Sequence, residues 1–338
     1  MTFALATLSD LATVVGNLPT ADADAATAAR ARQNSLTKPP GSLGRLEEIA
    51  EFMAAWRATA RPEIWKAQAL VFAGNHGICA QGVNPYPQEV TVQMVANFQN
   101  GGAAINQLCR VNGADLNVIA LDLDQPTADF TQGPAMSEAE ALEALNRGAA
   151  AVDEGADILI LGEMGIGNST VAAALAAACF GGDVKEWVGP GTGSDPAGID
   201  RKVDAIERGL TKHAGAKGNA AAILAALGGR EQAAICGAVL AARAARIPVI
   251  LDGFICTAAA AVLAVADTRL LDHCLVGHAS AEPGHRKLLT AINKRPVLEF
   301  DMRLGEGSGA ALALGIVRSA LACHNGMATF GEAGVSEA

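Results

Sequence analysis

Basic charge is scarce in this 338-residue chain: Lys and Arg total 25 against 35 Asp and Glu, and the formal net charge is -10. No basic run or aromatic-basic stripe interrupts that deficit, so nucleic acid, whose binding needs clustered cations, is not an expected partner. Aromatic residues make up only 4% and include a single tyrosine, Tyr86, which leaves no series of rings for base stacking. The seven cysteines are odd in number, widely scattered and never spaced CxxC. A disulfide framework and a zinc ribbon are both disfavoured, and buried thiols in a reducing compartment fit better. The opening MTFALATLSDLATVV carries Asp10 and no basic n-region, so a secretory signal is not expected. Apolar stretches such as Phe254 to Ala266 are too short for the ~20 residues that span a bilayer. Together these absences predict a cytoplasmic protein with no membrane span.

Apolar material is plentiful, at 51% with 18% charged, which suits one large domain plus a smaller appendage. The 37 glycines cluster between apolar runs without a fixed period, which removes collagen and solenoid readings. The N-terminal segment is helical in pattern: an Ala-rich stretch, a Lys-Pro-Pro-Gly break at 38–41, then LGRLEEIAEFMAAW. From about residue 68, short apolar runs ending in Gly or Asp alternate with loops and Ala-rich helical stretches, the pattern of a parallel α/β sheet. The expected strands are 69–73, 117–121, 157–161, 248–252 and 274–277. Each is nearly continuous in apolar residues, as strands covered on both faces must be. The C-terminal GAALALGIVRSALACHNGM returns to helix and is expected to pack with the N-terminal helices. The fold class expected is therefore a parallel α/β sheet with helices on both faces. A small helical domain (1–65 with 312–338) accompanies a large catalytic domain (66–311).

Ligands of open parallel sheets bind beyond the carboxyl ends of the strands, so the following loops are the candidates for chemistry. GEMGIGNST (162–170) is a Gly-rich turn entering a helix, where backbone N–H groups meet phosphate readily. It matches neither GxGxxG nor a Walker loop, and a plain tight turn capped by Asn168 or Ser169 remains open. GPGTGSD (189–195) is a second such loop, with Lys202 one turn into the next helix; a Gly-Ser connection with Asp195 or Asp200 as cap is the alternative. The long segment 71–95 holds His76, Tyr86, Pro87 and Gln88. There Tyr86 beside two prolines offers a rigid wall for a flat ring, while His76 is expected to satisfy backbone groups. In DMRLGEGSGAALAL, Glu306 stands between glycines before an apolar helix, a carboxylate that could serve as general base or merely as a helix cap. His273, His278 and His285 invite a metal with Cys274 or Glu282, but their spacing favours a structural or substrate-lining loop over zinc.

Taken in order, KPPGSLGRLE, FAGNHGI, GEMGIGNST, GPGTGSD, LDGFICTAAA, GHASAEPGH, RLGEGSGAA and ATFGEAGVS closely resemble one family. It is the nicotinate-nucleotide:dimethylbenzimidazole phosphoribosyltransferase family of cobalamin lower-ligand synthesis, and the resemblance runs from about residue 35 to the C-terminus. It implies transfer of the phosphoribosyl group of nicotinate mononucleotide to 5,6-dimethylbenzimidazole, with no metal or organic cofactor. It also implies a Rossmann-like sheet with a small helical domain, in a homodimer. By the family pattern, Glu306 takes the benzimidazole proton. The pattern also places Glu163 and Lys202 at the nucleotide site and makes the loop of Tyr86, Pro87 and Gln88 the expected wall of the base pocket; Gly165, Gly167, Asn168, Ser169, Gly191, Thr192 and Gly193, of the two Gly-rich loops, are the other residues expected to bind substrate. The competing readings are a nucleotide-dependent oxidoreductase, for which GNHG lacks the dinucleotide fingerprint, and a protein that binds a heterocycle without catalysis.

Overall fold

The computed structural model describes residues 3–336. Among these, the apolar runs form a six-stranded, all-parallel sheet. Its strands are β1 (Ala67–Ala73), β2 (Ala114–Ala120), β3 (Ile158–Met164), β4 (Val249–Leu251), β5 (Cys274–Ala279) and β6 (Pro296–Glu299), in the order β2-β1-β3-β4-β5-β6. The expected strands fall on β1 to β5. The missing one, β6, is a four-residue edge strand that begins on proline and is only half buried, so it lacks a continuous apolar run. β3 also runs further than its apolar run. Gly162 and Glu163 are strand residues paired in register with Val71 and Phe72, not the start of a loop.

The helices are α1 (Ala23–Ser35), α2 (Arg45–Arg57), α3 (Glu89–Gln99), α4 (Ala104–Asn112), α5 (Glu138–Ala150), α6 (Asn168–Phe180), α7 (Pro196–Lys212), α8 (Ala220–Leu227), α9 (Arg230–Ala244), α10 (Phe254–Ala266), α11 (Pro283–Ala291), α12 (Ser308–Gly326) and α13 (Phe330–Ala333). Alternation along the strands divides the core into two layers. Leu70, Phe72, Leu159, Leu161, Val249 and Leu251 meet α5, α6 and α8 to α10; Ala69, Val71, Ile158, Ile160, Ile250 and Leu275 meet α2, α4 and α12. The sheet is thus covered on both faces, which is why its central strands carry so few polar residues.

The end of α1 meets the end of α12. Arg32 of α1 donates to the carbonyls of His324 (2.7 Å) and Met327 (3.1 Å), and Gln33 bonds the His324 ring at 2.9 Å. Leu36 and Thr329 form an antiparallel bridge. The KPPGSLGRLE segment starts α2: Lys38 pairs with Glu47 at 2.8 Å, and Glu47 accepts the Leu43 amide at 2.9 Å. The first turns of the chain lie elsewhere. Leu5, Leu8, Leu11, Val14 and Leu18 bury on the α5 and α8 side of the sheet, where Leu5 and Asn146 exchange two hydrogen bonds of 2.9 Å.

On that side α5 and α9 cross with their backbones in contact. A Cβ on Gly237 would lie 1.8 Å from the Leu145 carbonyl oxygen, and one on Gly148 would lie 1.9 Å from that of Ala234. Gly237→Ala should therefore destabilise the protein by overpacking, by ~1–3 kcal/mol, even though alanine is the better helix former by up to ~1 kcal/mol. Thermal denaturation reads this as a drop of several degrees, and an unchanged or raised midpoint would show that the two helices can part without cost.

Candidate active site

The strand order reverses between β1 and β3, and a cleft opens beyond the carboxyl ends of β3, β4 and β5. Each of these strands delivers one ionisable side chain to it: Glu163 near the end of β3, Asp252 just past β4, and His278 on β5. A fourth, Glu306, enters from the turn before α12. Residues 305, 306 and 307 all have positive φ, at 80°, 63° and 81°. Glycine adopts this readily, but a glutamate in the left-handed region is strained by roughly 1–3 kcal/mol and persists only where its surroundings enforce it. Two contacts do so. Asp252 accepts the Gly307 amide at 3.1 Å and the Ala310 amide at 2.9 Å, and Gly162 lets the turn approach so closely that a Cβ there would lie 2.6 Å from Gly307 N.

The charges in the cleft are shaped by burial. Glu163 is 4% exposed, and burial, with the carboxylates of Asp252 and Glu231 adding to it, pushes its pKa up to about 8 against an opposing hydrogen bond from the Asn168 amide. Burial and then Asp252 raise Glu306 to about 7. Asp252 is itself raised by burial, opposed by His278, whose Nδ1 stands 3.6 Å away, and by the α12 amides. Beside His278, the His285 ring, lowered to about 3 by burial, accepts the Ser280 amide at Nδ1 and is neutral.

The other end of the cleft suits an anion. Lys202 is buried, donating to Gly189 O at 3.1 Å and reaching Ser169 Oγ at 3.5 Å. It is not a solvated surface residue, and the helix-capping role belongs to Asp195, which accepts the Gly198 amide at 2.7 Å. The α6 N-terminus brings Gly167, Asn168 and Ser169 to the same place, with Gly167 as the cap residue. Arg303 donates to Gly191 O at 3.0 Å. Glu282 accepts the Gly191 amide at 3.0 Å and faces Lys202, whose pKa burial lowers and Glu282 supports.

Glu163, Gly165, Gly167, Asn168, Ser169, Gly191, Thr192, Lys202 and Glu306 thus come together around one cleft. Gly193 belongs to the same turn without lining it. Tyr86, Pro87 and Gln88 do not line it either; the lining residues of their loop are Val83 and Asn84. Tyr86 is half exposed, and Gln88 donates to the His76 carbonyl at the start of α3. His76 is fully buried, and its ring bonds the Glu231 carboxylate at 2.7 Å, not backbone groups as expected. Sequence pattern does not single out Asp252 or Arg303, and it marks His278 and Glu282 only as members of a histidine-rich loop. The one available signal is an acidic residue ending an apolar run, LDGF. Among the described residues no group of three or more His, Cys, Asp or Glu is arranged to hold a metal, and no helix is long and apolar enough to cross a membrane.

Raised carboxylate pKa values make the folded state hold protons that the unfolded chain releases. These two groups make stability fall as pH rises from 4.5 to about 8, while the buried rings of His273 and His285, both lowered to about 3, give the opposite slope up to their ordinary value of 6.5, so the net fall lies above pH 6.5. The melting temperature of the unliganded protein should decline from pH 6.5 to pH 8, and Glu163→Gln should flatten that decline and melt higher than the parent at pH 8. A parent midpoint that is constant across this window would contradict the assignment.

A profile of the family described as phosphoribosyltransferase matches residues 18–335. Nicotinate-nucleotide–dimethylbenzimidazole phosphoribosyltransferase of Rhodobacter capsulatus is 68% identical over 332 residues, covering 98% of this chain and 99% of its own. The enzyme of the same name from Novosphingobium aromaticivorans is 59% identical over 332 residues, covering 98% of each chain. A crystal structure of the Thermus thermophilus enzyme superposes with a TM-score of 0.87 at 41% identity, over 94% of this chain and 100% of that one. The chain belongs to the nicotinate-nucleotide–dimethylbenzimidazole phosphoribosyltransferase family.

Proposed function

We propose that this enzyme transfers the phosphoribosyl group of nicotinate mononucleotide to 5,6-dimethylbenzimidazole, giving α-ribazole 5'-phosphate and nicotinate in the assembly of the cobalamin lower ligand. The observation that carries the reading is the pairing, in one cleft, of a buried anion cradle around Lys202 with a carboxylate, Glu306, whose pKa sits near 7. Lys202, Ser169 and the turns at 165–169 and 191–193 hold the phosphate. Glu163, largely protonated at neutral pH, has a proton to donate to a ribose hydroxyl. The benzimidazole lies toward Glu306, in the cleft that Val83 and Asn84 line from the loop preceding α3.

One benzimidazole nitrogen attacks the anomeric carbon as the bond from that carbon to the pyridinium nitrogen breaks. The leaving nicotinate keeps the electron pair, which neutralises its ring, so no acid is needed. Glu306 removes the proton from the other ring nitrogen, and the proton balance closes with one base. No metal or organic cofactor enters this scheme. A single displacement inverts the β-nucleotide to an α-product. The reading also includes a homodimer in the cytoplasm and a small helical domain of 1–65 with 312–338 beside a catalytic domain of 66–311. The ties of Arg32 and Gln33 to the end of α12 support that division, although Leu5 to Leu18 pack on the larger part.

Incubation with both substrates, followed by chromatography and NMR of the product, tests the reaction. An α-linked riboside and free nicotinate are expected, and a β-linkage or no transfer would refute it. Glu306→Gln should keep both substrates bound while turnover falls by the ~10²- to 10⁴-fold of a lost general base. The acidic limb of the parent rate profile, expected near pH 7 where the carboxylate becomes able to accept a proton, should vanish in this variant. Near-normal turnover, or a surviving limb, would move the role of base to another group, Glu163 first.

A further inference from the structure

Asp252 is buried at the end of β4, and its two carboxylate oxygens serve two different amides of one helix start: Oδ2 takes Gly307 N and Oδ1 takes Ala310 N. Residue 307 is the cap residue of α12, and residue 306 directly precedes it. An ordinary helix cap comes from the same chain segment. Here the acceptor arrives from the end of a strand 55 residues earlier, so it fixes not only the helix end but the place of that end over the sheet. His278 completes the fixture. Its ring lies 3.6 Å from Asp252 Oδ1, wedged between Gly253 and Gly309, where added Cβ atoms would come within 2.8 Å and 1.9 Å of it.

We propose that Asp252 is a positioning residue for the transfer reaction: its bidentate hold on the Gly307 and Ala310 amides keeps Glu306 in the left-handed conformation that aims its carboxylate into the cleft. This rests on the reading of Glu306 as the base. The geometry requires an acceptor with two oxygens at that point, because Gly307 N and Ala310 N are held by different atoms. The carboxylate also adds charge beside Glu306. The ionisable groups facing Glu306 are then Glu163 from β3, Asp252 after β4, His278 from β5 and Arg303 from its own loop, and of these Asp252 is the one that raises its pKa.

The test uses the whole enzyme. In Asp252→Asn one amide keeps an acceptor and the other faces an NH2 group. Hydrogen exchange at the Gly307 and Ala310 amides should quicken by ~10-fold or more. Turnover should fall ~10- to 10²-fold with little change in the KM for nicotinate mononucleotide, and the acidic limb should move to lower pH as the neighbouring charge is lost. In a Glu306→Gln background the same substitution should cost nothing further, because Asp252 acts through Glu306. If Asp252→Asn does not fold, Asp252→Ser, smaller and neutral, carries the same expectations. Unchanged exchange at both amides, or a full additional loss in the Glu306→Gln background, would overturn the proposal. Near-normal turnover of Glu306→Gln alone would instead overturn the reading of the base, and the exchange measurement would still decide whether Asp252 holds the turn.

Discussion

The close approach of the α12 start to the carboxyl end of the sheet is the constraint on which the site depends. Gly162 and Gly277 present bare backbone to Gly307 and Ala310, and Asp252 bonds two amides of the turn that results. Without that approach the cleft would lose one wall, and Glu306 would have no reason to stay in a conformation that L-residues avoid. The same approach excludes water from the carboxylates, which is what raises them. Burial, position and acidity at Glu163, Asp252 and Glu306 are three results of one packing arrangement.

The two ends of the cleft solve opposite electrostatic problems. At the α12 end, acidic groups crowd together and are raised toward neutrality. At the other, Lys202 is buried beside Glu282 and the Gly189 carbonyl, so its charge is balanced within the protein. The sheet sets the separation between the two ends, since β3 and β5 supply Glu163 and His278 and the loops that follow β3 and precede α7 supply the cradle.

Much of this arrangement is legible in the sequence. The apolar runs mark β1 to β5 because strands covered on both faces must be apolar throughout, and they miss β6 because an edge strand starting at Pro296 carries no such mark. The glycine clusters mark the loops that bend into the site, and the isolation of Glu306 between two of them is visible directly. What stays hidden is what depends on contacts between distant segments. Asp252 reads as the end of a strand, and only the fold reveals that its oxygens meet residues 307 and 310. His76 reads as a loop histidine, and only the fold puts Glu231 of α9 against it. The extension of β3 through Gly162 and Glu163 is hidden for the converse reason, since a glycine and a glutamate are poor strand formers in isolation.

The helix α12 has its own geometric consequence. Its 19 residues make a rod of about 28 Å, with the Glu306 turn at one end and, at the other, the carbonyls of His324 and Met327 that Arg32 binds. A helix is stiff along its axis. The Glu306 turn is therefore anchored at two distant points, one at the sheet and one where α1 meets the end of α12. An axial shift of that junction would arrive at the carboxylate as a lever transmits motion, almost undiminished, whereas the loops beside the cleft can move without displacing it.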